Sequence, residues 1–336
     1  MGWFGSSAPK KFKDFEAEIE ALLRRERPSD VRALLHRPTV PTGFSGLYAA
    51  YHPFTVWMYR FDDLKKRPLA ANISSYLVQR NRHEQQVKDV LSEISRHETG
   101  RALFDEIDRI GKDVLIYPYW SFGDGTPSGR SLKALLNIGR NKYRNENYKF
   151  FGGFGLNATA QRFRDPDEDG HSDIAISFTA SMWGPTKFDR RSGLLSGTAG
   201  RSGPGSLPDE LLFHELVHAT RSMLLAESDH STVNNAFGNK EEYIAVVVTN
   251  IYTAEKASDP KHPKLRASHD GFGTLSDPAD FLNNKAATKP SPRELLKELF
   301  NSQQRPFYVK VGSLPESTVF WNPARVVGRE LKLVAP

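Results

Sequence analysis

The segment LLFHELVHATR, residues 211–221, constrains this chain more than any other. On an α-helix His214 and His218 stand one turn apart on the same face, so two imidazoles can reach a single ion while Glu215 lies beside them. Leu211, Leu212, Phe213, Leu216 and Val217 make the segment apolar enough to predict burial. Two histidines and a glutamate inside a buried helix need partners, and a metal ion satisfies all three at once. The H-E-x-x-H pattern suits zinc-assisted hydrolysis, with the histidines on Zn²⁺ and Glu215 as general base on a water whose pKa the metal lowers. The chain contains no cysteine, which excludes thiolate zinc sites, disulfides and cysteine nucleophiles. Any strongly held metal must therefore sit on imidazoles and carboxylates.

The motif helix is expected to start near Ser206 as cap, with Pro208 in its first turn and Asp209 three residues past the cap. The Gly/Ser/Pro-rich stretch before it, SGLLSGTAGRSGPGSLPDE at 192–210, reads as a mobile loop able to cover a cleft. A third ligand is expected downstream in NKEEYIAVVVTNIYTAEK, 239–256, where Asn239 can cap a second helix. Glu242 is the preferred ligand, because Ala245 one turn on is small where that helix must approach the first. Glu241 is the alternative, and a capping box with Asn239 would use Glu242 in another way. An oxyanion-stabilising group is sought in HPKLRASHDGFG, 262–273, where His269 is the expected catalytic partner of Glu215, with Arg266 beside it and Tyr252 behind.

The rest of the chain supports an enzyme-sized α+β protein. With 336 residues, 38% of them hydrophobic, it can bury a sizeable core. Residues 10–36 read as helices, and Val87, Val90, Leu91 and Ile94, followed by Leu103, Ile107 and Ile110, form two apolar helical stripes. Residues 1–112 are thus expected to be a helical N-terminal region. Residues 113–336 are expected to form the second domain, opening with the strand-like VLIYPYWSF, the turn-rich GDGTPSG, and DIAISFTASMW at 173–183. The last of these is the expected edge strand for an extended substrate. SPRELLKELF at 291–300 carries a capping box from Ser291 to Glu294. The 46 Lys+Arg against 40 Asp+Glu make a mixed surface, so no nucleic-acid partner is expected. The sequence predicts neither a transmembrane segment nor a cleaved signal peptide. Three weaker signals read as structure rather than chemistry: the partial calcium loop RDPDEDGHSD at 164–173, the loose myristoylation pattern MGWFGS, and the basic run around Lys10, Lys11 and Lys13.

H-E-L-V-H-A-x-R, followed by E-E-Y-x-A-V and then N-x-Y over about residues 206–256, is similar to the NleD-like family of bacterial effector zinc metalloproteases, within the broader gluzincin group. The resemblance implies a zincin-like metalloprotease core, a small mixed sheet carrying the HExxH helix and a third-ligand helix. It implies Zn²⁺ on His214, His218 and Glu242, with Glu215 as catalytic base. Where relatives usually carry a Glu before the Asn, this chain has Thr249, which puts the orientation of one ligating imidazole in question. The family also implies an effector or toxin made in a bacterial cytoplasm and delivered by a specialised secretion system, with a protein substrate in a target cell and a secretion chaperone or delivery apparatus as further partner. Two rivals stand beside this: a zinc hydrolase acting on a non-protein amide or cell-wall peptide, and a binding protein whose metal is purely structural, closed by a fourth protein ligand.

Overall fold

The sheet begins earlier in the chain than the β-branched stretch at residue 114 suggests. The computed structural model describes residues 39–50, 69–117, 159–162, 174–180, 187–189, 194–196, 203–224, 237–269, 273–279, 281–283 and 290–336. The helices expected over 10–36, the N-terminal MGWFGS, the basic run, the turn at 123–129 and the acidic loop at 164–173 lie outside the described residues. Strands β1 (Thr39–Pro41) and β2 (Leu47–Ala50) come first, then helices α1 (Leu69–Ser95) and α2 (Glu98–Ile110), then β3 (Val114–Tyr117). β4 (Thr159–Arg162) and β5 (Ile174–Ser177) complete a five-stranded sheet of order β1-β2-β3-β5-β4. β2–β3 and β3–β5 are parallel, with Leu47 opposite Val114 and Ile116 opposite Ile176, while the two outer pairs are antiparallel. The architecture is mixed α/β.

Two expectations need correcting. The boundary between residues 112 and 113 does not separate packing units among the described residues, because β2 is hydrogen-bonded to β3 and one hydrophobic cluster contains Leu47, Leu91 and Leu103 together with Ile116, Leu212 and Ile244. A run of helical periodicity told nothing about the two short strands in front of it. DIAISFTASMW does contain a strand, but Ile174–Ser177 lies inside the sheet, and the edge beside it is β4. Ile174 and Ile176 are fully buried, as a strand paired on both sides and covered by helices requires.

The helical stripes pack as their spacing predicts. Val87, Val90, Leu91 and Ile94 of α1 and Leu103, Ile107 and Ile110 of α2 are all buried. The turn joining the two helices is tight: a Cβ on Gly100 would stand 2.0 Å from the Ile94 carbonyl oxygen, so only glycine fits there. α1 also buries one imidazole, His83, whose Nε2 lies 2.9 Å from the Ile116 carbonyl of β3.

A small hairpin, β6 (Lys187–Asp189) with β7 (Leu194–Ser196), precedes the motif helix α3 (Pro208–Met223). The stretch at 192–210 is therefore not a plain loop, since it supplies a strand. α4 (Lys240–Glu255), a short 3-10 helix (Phe281–Asn283), α5 (Pro292–Phe300), α6 (Arg305–Gly312) and α7 (Pro323–Glu330) follow. α3 packs on β4, β5, α1 and α2 and pairs with α4, so the motif sits between the sheet and α4. In α5 the Glu294 N–H donates to Ser291 and the Ser291 N–H donates to Glu294, the capping box the sequence predicts. Among the described residues no helix is long and apolar enough to cross a membrane.

Candidate metal centre

α3 starts one residue later than expected, at Leu207 as cap with Pro208 behind it. The reason is local. Ser206 spends its hydroxyl closing the preceding turn, donating to the Gly203 carbonyl at 2.6 Å, while the Glu210 carboxylate reaches back to the N–H groups of Gly205 (2.9 Å) and Leu207 (3.3 Å). Asp209 faces the other helix: its Oδ2 accepts from the Tyr252 hydroxyl at 2.7 Å and pairs with Lys256. The start of α3 is thus tied to the end of α4, and the two helices run antiparallel with the middle of α3 against the start of α4.

Asn239 caps α4 as predicted, its side chain accepting from the Glu242 N–H at 2.9 Å. The Glu242 carboxylate does not close a capping box, since the Asn239 N–H donates to the Phe237 carbonyl instead. It turns to α3, where Oε2 lies 3.2 Å from Nε2 of His214 and 3.1 Å from Nε2 of His218. The two Nε2 atoms are themselves 3.2 Å apart. Ligand atoms from His214, His218 and Glu242 all fall within 4.8 Å of one another, the only such His/Cys/Asp/Glu group among the described residues.

The outward nitrogens are also engaged. Nδ1 of His218 is 3.2 Å from Oε1 of Glu241, and Nδ1 of His214 is 3.5 Å from the Thr249 hydroxyl. Thr249 therefore stands at the orienting position, with a weaker acceptor than a carboxylate. Glu241, the alternative ligand, is drawn away from the Nε2 side by Arg221, whose Nε lies 2.8 and 2.7 Å from its two oxygens. Each histidine thus keeps Nε2 for the shared centre.

The electrostatics favour a cation there. Burial pushes the His214 imidazole down to about 3, leaving a neutral ring with a lone pair to offer. Burial opposes charge on His218 too, but the carboxylates of Glu241 and Glu242 outweigh it and hold that ring up at about 10. Burial likewise works against the Glu242 carboxylate, yet the bonds from His214 and His218 hold it well below the usual carboxylate range. Two imidazoles and an ionised carboxylate form a donor set that could bind a metal ion, which in binding displaces the proton His218 otherwise holds.

Glu215 is buried on the same helix, close enough to His218 to raise its affinity for a proton. His269 joins the group from the segment after α4: its Nε2 is 3.2 Å from Oε2 of Glu242, and its ring lies nearly parallel to that of His214 at 6.1 Å. The other two oxyanion candidates do different work. Tyr252 is fully buried, stacked on Phe213 at 4.4 Å with its hydroxyl on Asp209. The Arg266 guanidinium donates to the carbonyls of Ser268 and His269, and its backbone is held on both sides by Asn250, at 2.8 and 2.9 Å. Arg266 also packs against Gly205, which has φ +83° and where a Cβ would come 2.9 Å from the Arg266 Cδ.

Comparison with family models, with curated proteins and with solved structures finds no match.

In the sequence Arg221 and Asn250 stand out only as letters of the motifs, with no role assigned, and Gln304 not at all. Arg221 had a readable signal, since it follows His218 by three positions and so shares its helix face. Gln304 had none. It reaches α3 from the start of α6, accepting from Arg221 at 3.3 Å and donating to Thr220 at 3.0 Å.

Proposed function

We propose that this protein is a zinc-dependent endopeptidase built on a zincin-like core. The observation that carries the reading is the convergence of two Nε2 atoms and the Glu242 carboxylate on one point beside the buried Glu215. His214, His218 and Glu242 would hold the ion. Bound there, Zn²⁺ supplies Lewis acidity, polarising a carbonyl and making water acidic enough to be deprotonated near neutral pH.

The chain's own groups do the rest. Glu215 accepts the proton of the attacking water and returns it to the departing amine, which needs a carboxylate of restricted motion beside the ligands. His269 donates a hydrogen bond to the negative charge developing on the carbonyl oxygen. Arg266 fixes the backbone on which His269 is presented. β4, the sheet edge packed against α3, is the strand with which an extended peptide would pair. The likeness of residues 206–256 to effector metalloproteases supports delivery from a bacterial cytoplasm by a specialised secretion system, towards a protein substrate in a target cell.

A second reading has one observation in its favour. His269 approaches the same Glu242 oxygen as the other two imidazoles, and as a fourth protein ligand it would close the site and make the metal structural.

One set of proteins separates these readings: wild type, His214→Ala, Glu242→Ala, His269→Ala and Glu215→Ala, each checked for folding, with metal counted by mass spectrometry and hydrolysis followed on a peptide library. The expected result is about one zinc per wild-type chain, lost with His214 or Glu242 and kept without His269. Glu215→Ala should keep its zinc and lose about 10²- to 10⁴-fold in hydrolysis. A fully active Glu215→Ala ends the peptidase reading, and zinc lost from His269→Ala favours the closed site.

A further inference from the structure

Adjacent glutamates, Glu241 and Glu242, open α4 within reach of the same histidine, and only one joins the ligand set. What distinguishes them is Arg221. Its Nε spans both oxygens of Glu241 at 2.8 and 2.7 Å, and both side chains are 8% exposed, so solvent screens the pair weakly. A buried carboxylate in such a pair is held in place, because leaving it unpartnered costs more than the pair gains. Arg221 is in turn fixed by Gln304, which also holds the neighbouring Thr220. The chain Gln304–Arg221–Glu241 ends on Nδ1 of His218.

Resting on the metal reading above, we propose that Arg221 is a positioning residue for the centre: it holds the Glu241 carboxylate against Nδ1 of His218, keeps it out of the metal's own sphere, and leaves Glu242 as the carboxylate ligand. A ligating imidazole whose second nitrogen is tied to a carboxylate keeps its tautomer and ring orientation, and losing such a partner weakens metal binding by about 10- to 100-fold. Arg221 touches no ligand atom of the centre in this arrangement, so its effect passes through Glu241.

The test uses the full chain and Co²⁺ as a coloured probe, with affinity measured by competition against a chromophoric chelator and coordination read from the visible spectrum. In Arg221→Met the freed Glu241 can move, so affinity should fall about 10- to 100-fold and the spectrum should change. Arg221→Lys, which keeps the charge, should restore most of the affinity. Because the unpaired buried carboxylate of Arg221→Met works against folding, Arg221→Met with Glu241→Gln, which removes both charges, serves beside it. That double variant should fold and still bind Co²⁺ about 10-fold or more weakly. A folded Arg221→Met or double variant with wild-type affinity and spectrum overturns the proposal and leaves the metal reading intact. Wild-type protein that takes up no Co²⁺ or Zn²⁺ overturns both.

Discussion

α2 and α4 are built on opposite plans. α2 buries one stripe, Leu103, Ile107 and Ile110, and turns Arg101, Asp105 and Asp108 to water. Its polar side chains pair along the helix, as in Arg101–Glu98 and Arg109–Glu106, or reach neighbours at the exposed rim, as Asp105 does to Lys310 and Asp108 to Ser45. α4 is buried almost all round, from Tyr243 to Ala254, so its sequence carries no stripe. Four of its polar side chains are instead spoken for one by one, Glu241 by Arg221, Thr249 by His214, Asn250 by Arg266 and Tyr252 by Asp209, and Thr253 is the exception, its hydroxyl buried without a hydrogen-bond partner among the described residues. A helix that floats on a core is specified by apolar spacing, whereas a helix inside one is specified by the partners of its polar residues. The second kind is where chemistry can be housed, because a buried polar group must have an addressee.

The contrast can be pressed experimentally. The largest effect is expected at the α1–α2 turn. Gly100→Ala drives a Cβ into the Ile94 carbonyl and should cost about 3 kcal/mol in urea unfolding, with metal affinity unchanged. An altered affinity would mean that the stripe-built helices also shape the site. His83 is the exception on that side of the molecule, a buried imidazole on a stripe helix. Burial pushes it down to about 4, against 6.5 in the unfolded chain, so between these pH values the unfolded state binds more protons. Its contribution is intact above pH 6.5 and is lost as pH falls towards 4, amounting to about 2 kcal/mol between pH 7 and pH 5. Unfolding of wild type and His83→Gln across that range should differ in slope, and equal slopes would remove His83 as the source. The smallest effect is expected at Thr249→Val in α4. The shape is kept, so stability should change little, while loss of the hydroxyl beside Nδ1 of His214 should weaken metal binding about 10-fold or less by chelator competition.

The same contrast explains what could be read in advance. Local rules reached far: the α1 and α2 stripes, Asn239 as a cap, the Ser291 capping box, and the pairing of His214 and His218 with a carboxylate at the start of α4, Glu242 or Glu241, all follow from spacing along one or two helices. Ser206 looked like a cap because a serine before Pro208 usually is one, but its hydroxyl goes to the Gly203 carbonyl while Glu210 reaches back to Leu207. The sheet was less legible. β1 and β2 are three and four residues long, too short for alternation to register, and their partner β3 lies beyond two helices. The division of labour between Glu241 and Glu242 needed a third side chain, Arg221, from another helix. Gln304 arrives from still further along, and no periodicity links it to His218.

The parallel pairing of β2 with β3 bears on how this protein can be cut. A fragment beginning at residue 113 would carry the whole motif, yet it would lose β1, β2, α1 and α2 together. β3 would become a raw edge with unpaired backbone groups, and the α3 surface that packs against α1 and α2 would be stripped. The Glu255 carboxylate, which now receives the N–H groups of Glu98 and Thr99 at 2.6 and 2.9 Å, would lose its helix. Such a piece should aggregate strand to strand between copies, so β1, β2, α1 and α2, which include none of His214, His218 and Glu242, shield the half that carries those residues.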